Sequence, residues 1–192
     1  KFLSLLSVSI RPEASGLIGE ARMLRFLTAG ESHGKALVAI LEGMVSGLRL
    51  DKRKIDLELA RRKQGAGRGG RMKIEDDKAE ILSGIKGNLT LGSPIALLIE
   101  NKDYKIEELA EVHCPRPGHA DLAGVIKYGF SDIRNVLERA SARETAVRTA
   151  VGAVCKIFLD EFKVKIKSSI LEIGGETELV KIGEKIKKAE VN

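Results

Sequence analysis

Four stretches of the chain join residue types that can do chemistry. Gly30-Glu31-Ser32-His33-Gly34 sets a hydroxyl and an imidazole between two glycines, directly after a short apolar run. Glycine lets the backbone turn sharply and approach a ligand, and an imidazole exchanges protons near neutral pH. Residues 61–73 read RRKQGAGRGGRMK, with six basic side chains (61, 62, 63, 68, 71 and 73) and no acidic one. Gly65, Gly67, Gly69 and Gly70 free the backbone there. The guanidinium forks of Arg62, Arg68 and Arg71 suit carboxylates and phosphates, which they hold through paired hydrogen bonds. In Arg116-Pro117-Gly118-His119-Ala120-Asp121 a rigid proline and a glycine aim His119, and Asp121 is close enough to orient the ring.

The fourth stretch is Arg139-Ala140-Ser141-Ala142-Arg143-Glu144-Thr145, two arginines and a hydroxyl at the start of a helix. Ser141 and Glu144 read as a capping box. Arg139 and Arg143 do not, because cations oppose the dipole at that end; an anionic ligand would account for them. Two other readings share these residues. Gly30 to Gly34 also spells the G-x-S-x-G elbow of a serine hydrolase with Ser32 as nucleophile, although only one strand precedes it. Residues 68–71 could form a basic RNA-binding module, but only one Arg-Gly-Gly-Arg unit is present. His113 has no such neighbourhood and reads as structural or solvated. Taken together, the parts suit an enzyme acting on a small, multiply anionic substrate.

Composition narrows the choice. With 192 residues, 43% hydrophobic and 31% charged, the chain suits one domain or two small ones, neither disordered nor membrane-spanning. Aromatic residues make up 4% and there is no Trp, which excludes a row of base-stacking rings. Two cysteines, 114 and 155, exclude a disulfide scaffold and a Cys-rich metal site and point to a reducing cytoplasm. The net charge is +6, and without the six basic residues of 61–73 the chain is neutral. The excess is one patch, which favours a specific anion site over general attraction to nucleic acid.

These side chains need elements to position them. Residues 24–29 and 36–45 read as strands on either side of the Ser32-His33 turn. Asp51 is placed to cap a helix through about 63, with Ile55 and Leu59 on one face. Residues 80–85 and 95–100 read as strands, the second opened by Ser93-Pro94 as an edge or a strand start. Residues 114–121 are loop-like and 121–128 a helical turn. The strongest pattern spans 141–162, a helix with a broad apolar face and small residues at its start. Residues 164–173 alternate like a strand, and 178–189 form a Lys-rich amphipathic helix. Residues 1–22 hold one short apolar run, well under the ~20 residues of a membrane span. They read as an extension, with Met23 the more natural start; Lys1 and Ala14-Ser15-Gly16 faintly mimic a signal peptide.

The motifs resemble one family, chorismate synthase. The likeness runs from Met23-Leu24-Arg25-Phe26-Leu27-Thr28-Ala29-Gly30-Glu31-Ser32-His33-Gly34 through 62–73 and 116–121 to Arg139-Ala140-Ser141-Ala142-Arg143-Glu144-Thr145-Ala146, in that order. It covers 23–192 and leaves out 1–22. The resemblance implies a lyase that converts 5-enolpyruvylshikimate 3-phosphate (EPSP) to chorismate and phosphate. That step, a 1,4-trans elimination without net redox change, is the last common one of the shikimate pathway to the aromatic amino acids. It implies reduced FMN as cofactor and NADPH where a member reduces its own flavin. His33 resembles the histidine at the departing phosphate, with Ser32 beside it, and His119 the one near the flavin. Arg62, Arg68, Arg71 and Arg143 resemble or suit positions that bind the anions of substrate or NADPH. Arg139, Ala140 and Ser141 resemble an FMN-contacting segment. No metal is implied. The family fold is α+β, helices sandwiched between antiparallel sheets, in a cytoplasmic homotetramer that binds neither nucleic acid nor membrane. Family chains are roughly twice as long, so this chain is expected to be an N-terminal half, incomplete as a sandwich and inactive alone.

Overall fold

The computed structural model describes residues 23–64, 70–168, 171–172 and 175–178. Two strands make the centre. β2 (Ala36–Glu42) buries Leu37, Ala39 and Leu41, and β7 (Ile95–Glu100) buries Ile95, Leu97 and Ile99. Side chains alternate across a strand, so each residue set shares one face. The strands pair antiparallel with Leu37 opposite Ile99, Ala39 opposite Leu97 and Leu41 opposite Ile95. β1 (Arg25–Ala29) flanks β2 and β4 (Glu80–Ile81) flanks β7, giving the order β1-β2-β7-β4. β3 (Ser46–Arg49), β5 (Ile85–Lys86) and β6 (Leu89–Leu91) form a second antiparallel sheet, in the order β3-β6-β5. β7 is central, so Pro94 marks a strand start and not an edge.

α5 (Thr145–Glu161) packs on the apolar face of the larger sheet, and α1 (Lys52–Arg62) packs against α5. α1 starts at Asp51, whose carboxylate accepts from the Arg53 N–H at 3.0 Å, and it buries Ile55 and Leu59. α5 buries Ala146, Val147, Ala150, Val151, Ala153, Val154 and Ile157 in the same core as β2, β7 and α1. Its alanines let the neighbouring backbones come close. Each buried Leu or Ile contributes about 1.5–3 kcal/mol relative to exposure. The opposite sheet face is open: Leu27 is 75% exposed and Ile40 is also exposed. This is an α+β arrangement with one helical layer on one sheet, as an incomplete sandwich requires. No helix among the described residues is long and apolar enough to cross a membrane.

Several expected elements differ. The 141–162 helix begins as a 3-10 turn, Ala142–Glu144, before α5. The capping box is half formed. Ser141 Oγ accepts from the Arg143 N–H, while the Glu144 carboxylate turns away to Thr28 Oγ1 at 2.5 Å. The 80–85 strand stops at Ile81, and β5 starts at Ile85 after the left-handed Gly84. The turn at 121–128 is a full helix, α3 (Asp121–Tyr128), ended by Gly129 in the left-handed region. Residues 164–168 and 171–172 form no strand. The helix expected over 178–189 lies outside the described residues apart from Glu178, as do residues 1–22 and Arg68. Two short helices, α2 (Arg71–Ile74) and α4 (Arg134–Arg139), were not expected.

Candidate functional site

The Ser32-His33 turn joins β1 to β2, and glycine makes it possible. Gly30 has φ +105°, and a Cβ there would meet the Ala36 carbonyl oxygen at 2.3 Å. Three other segments latch the turn. Asn101, just past β7, donates from its side chain to the carbonyls of Glu31 (3.1 Å) and Gly34 (2.7 Å). The Lys105 and Ile106 N–H groups donate to the His33 carbonyl, and the Ser32 N–H donates to the Glu138 carbonyl on α4.

Around this turn the predicted site residues from three stretches converge. Arg71, opening α2, donates from Nη1 to Ser32 Oγ at 2.5 Å and from Nη2 to the Ser32 carbonyl. The Ser141 hydroxyl donates to Ser32 Oγ at 3.1 Å. His33 has a 20% exposed side chain between two carboxylates, with Nδ1 2.8 Å from Glu138 Oε2 and Nε2 3.4 Å from Asp103 Oδ2. Arg71 Nε lies 3.9 Å from Asp103. Lys105, 2.9 Å from Asp103, holds that carboxyl below its ordinary range, with Arg71 adding to the effect.

Behind the cluster lies a buried ionic layer that turns two predicted anion-binding arginines inward. Arg143, with a 4% exposed side chain, donates to Asp77, to Glu75 and, at 2.8 Å, to Asn101 Oδ1. Arg62, 7% exposed, donates to Asp77 (3.2 Å), Thr145 Oγ1 (2.9 Å) and the Ala142 carbonyl (3.2 Å). It thus pins the end of α1 to the start of α5. Arg71 also donates to Glu75 at 3.0 Å. Burial pushes the Glu75 carboxyl up, but the Lys102 N–H, Arg143 and Arg71 outweigh it, and the net shift is downward. Of the positive patch in 61–73, Arg62 is answered by Asp77, Arg71 by Glu75 and Arg61 by Glu58. The acid-free window closes at Lys73, two residues before Glu75-Asp76-Asp77. Arg143 has no need of an outside anion, because the carboxylates that account for it lie 66 and 68 residues earlier.

Arg139 ends α4 and reaches the carbonyls of Thr28 (2.9 Å) and Gly30 (3.4 Å), Thr28 Oγ1 and Glu144. Its side chain stays 40% exposed, and among the described residues its Nε donates to no partner. Ala140 and Ser141 follow it, half-buried.

His119 sits on a separate loop, aimed as expected. Its Nδ1 is 3.1 Å from Asp121 Oδ1 and 3.0 Å from Arg116 Nη2. Asp121 is fully buried and accepts from Arg116 N, Nε and Nη2, and these bonds hold its carboxyl far below the usual range. No hydrogen bond or ion pair among the described residues joins His119 to the Ser32-His33 cluster. The structural link runs through α3 and α4, where Gly124 lets Val136 approach closely. His113 is exposed beside Glu111, as expected.

Reading the sequence alone missed Glu75, Asp77, Asn101, Asp103 and Glu138. The acidic triplet directly after the basic loop was the available signal for the first two. The serine-hydrolase reading fails on geometry: Ser32 Oγ is bonded to Arg71 and Ser141, and no imidazole among the described residues reaches it. The RNA reading loses Arg71 to Ser32 and Glu75. Hollows of about 330 and 760 Å³ lie elsewhere, beside Lys54, Glu58 and Lys156 and beside Arg49, Asp51 and Ile85. His33, with its side chain 20% exposed, lines neither of them.

Comparison with known proteins places the chain in a family. A family model described as chorismate synthase matches residues 24–192. The chorismate synthase of Thermoanaerobacter pseudethanolicus is 57% identical over 155 residues, covering 79% of this chain and 44% of that protein. That of Aquifex aeolicus is 59% identical over 165 residues, covering 80% and 42%. A crystal structure of chorismate synthase, 52% identical, superposes with a TM-score of 0.65 over 81% of this chain and 39% of its own. The chain thus spans a little under half the length of the curated relatives it matches. It belongs to the chorismate synthase family.

Proposed function

We propose that this chain supplies one half of a chorismate synthase active site, the half that receives the phosphate of EPSP as it leaves. The observation that carries the reading is the meeting of Ser32, His33, Arg71 and Ser141, drawn from three distant stretches, at one partly open point. A phosphate gains charge as its C–O bond breaks. An imidazole beside it can donate a proton or a hydrogen bond, and a guanidinium can balance the charge. His33 takes the first role through Nε2, since Nδ1 faces Glu138. Arg71 takes the second and fixes Ser32. Arg62 and Arg143 support the pocket from behind.

Arg139, Ala140 and Ser141 would hold reduced FMN. The 40% exposed guanidinium of Arg139, whose Nε has no partner among the described residues, and the nearby Ser141 hydroxyl fit an anionic, hydrogen-bonding cofactor. Reduced flavin held there would supply electron density at the reacting centre, without net redox change. His119 Nε2 is the ring nitrogen left open by the Asp121 contact, and we place it where a proton near the flavin is managed. NADPH serves as reductant where the enzyme reduces its own flavin. The rest of the full-length protein completes the pocket, in a cytoplasmic homotetramer binding neither nucleic acid nor membrane. Free Cys114 and Cys155 suit a reducing compartment. Residues 1–22 precede the stretch that matches the family. Chorismate formation from EPSP by the full-length enzyme with reduced FMN tests the reading, and the 192-residue chain alone should form none.

A further inference from the structure

Glu138 is a buried carboxylate with unusual partners. Its side chain is 1% exposed. Oε2 accepts from the His33 N–H at 2.9 Å and lies 2.8 Å from His33 Nδ1. Its main-chain carbonyl accepts from the Ser32 N–H at 2.9 Å. One residue therefore grips both members of the turn, by backbone and by side chain. Oε1 is buried and has no hydrogen-bond partner among the described residues; the nearest cation, Arg134 Nη1, stands off at 3.6 Å.

The other buried carboxylates behave differently. Glu75 and Asp77 each have both oxygens occupied by arginines or backbone N–H groups. A buried carboxylate kept only for stability would be closed in the same way, because an orphaned oxygen costs stability. Among the described residues, the carboxylate and carbonyl of Glu138 make their tight bonds to His33 and Ser32. Its own position is fixed from both ends of α4. Asp132 accepts from the Arg134 N–H at 2.8 Å at one end, and Arg139 is tied to Thr28 and Gly30 at the other.

We propose that Glu138 is a positioning residue for His33, and this rests on the reading of His33 given above. The carboxylate favours the neutral tautomer with its proton on Nδ1 and fixes the ring plane, so that the proton an imidazolium gives up is the one on Nε2. Nε2 is thereby turned toward the Arg71–Asp103 side of the cluster, where a leaving phosphate would sit. A carboxylate that accepts from one ring nitrogen of a histidine sets which nitrogen does the chemistry.

The test uses the full-length enzyme and three variants: Glu138→Gln, His33→Ala and the two combined. Gln keeps the shape of the side chain and an acceptor for the His33 N–H, while removing the charge that selects the tautomer. The expected result for Glu138→Gln is a kcat lower by about tenfold or more, with the ~10²–10⁴ of acid–base catalysis as the upper limit, and KM for EPSP changed less than about threefold. In the His33→Ala background the same substitution should cost nothing further, since a residue acting through the imidazole loses its effect when the ring is gone. Equal losses in both backgrounds would make Glu138 structural and overturn the assignment, as would wild-type kcat in Glu138→Gln. Wild-type turnover in His33→Ala would instead sink the reading of His33 itself, and the inference with it.

Discussion

Arg71 donates to both the hydroxyl and the carbonyl of Ser32, a residue 39 positions earlier in the chain. The other edge of the same guanidinium is held by Glu75, which is itself gripped by Arg143 and the Lys102 N–H. The Ser32-His33 turn is thus tied to the basic loop, to the end of β7 and to the start of α5 through one ionic layer. Local rigidity and charge at the candidate site come from the same residues.

Replacing Arg71 with Lys keeps the charge and removes the fork. An ammonium cannot reach Ser32 Oγ, the Ser32 carbonyl and Glu75 together. A lost charge-assisted hydrogen bond is worth about 1.5–3 kcal/mol, so kcat/KM for EPSP should fall roughly ten- to hundredfold in the full-length enzyme. Steady-state kinetics with reduced FMN decides this; an unchanged kcat/KM would remove Arg71 from the site.

Arg143→Leu should be mainly a stability defect. It strips a 4% exposed guanidinium from Asp77 and Glu75 and leaves buried charge uncompensated. Breaking a buried pair from one side costs about 3–5 kcal/mol. Urea unfolding of the full-length enzyme should show a loss of that size, and a loss under about 1 kcal/mol would mean that Arg143 is not part of the buried layer.

Gly124→Ala tests the link between the His119 loop and α4. The added Cβ would lie 2.2 Å from Val136 Cγ1, on a β-branched side chain with little freedom to move. Overpacking of this kind costs about 1–3 kcal/mol. Thermal unfolding should register the loss, and Val136→Ala in the same chain should relieve it. Additive destabilisation by the two changes would show that α3 and α4 do not meet there.

Legibility followed sequence distance. β7, α1 and the body of α5 were readable because period 2 and period 3.6 are written into consecutive residues such as Ile95, Leu97 and Ile99. α4 was not, since Arg134–Arg139 is too short to show a period. Ser32, His33 and Arg71 could be singled out by residue type and neighbouring glycines. Glu138 could not, because it is 105 residues from His33, and although the acidic triplet marks Glu75, its pairing with Arg143 spans 68 residues. The anionic partners expected for Arg62 and Arg143 turned out to be carboxylates of the same chain. Folding selects such pairs in space, and local pattern leaves no trace of them.

Acid sensitivity should follow Asp121. Its bonds to Arg116 hold the folded carboxyl far below the ordinary 3.8, so the folded state binds its proton less readily than the unfolded chain. The resulting stability is complete above about pH 4 and is lost as pH falls toward the depressed folded value. Wild type and Asp121→Asn should therefore differ most in unfolding free energy near neutrality and converge in acid. A gap that stays constant from pH 7 down to strong acid would mean that Asp121 is not ionised against Arg116.

The most direct measurement is turnover of EPSP to chorismate by the full-length enzyme carrying His33→Ala, with reduced FMN supplied. A histidine acting on the departing phosphate should be worth about 10²–10⁴ in rate, so kcat should fall by at least a hundredfold while the protein still folds and binds flavin. A folded, flavin-loaded His33→Ala enzyme turning over at the wild-type rate would contradict the placement of the phosphate side of the site at Ser32, His33 and Arg71.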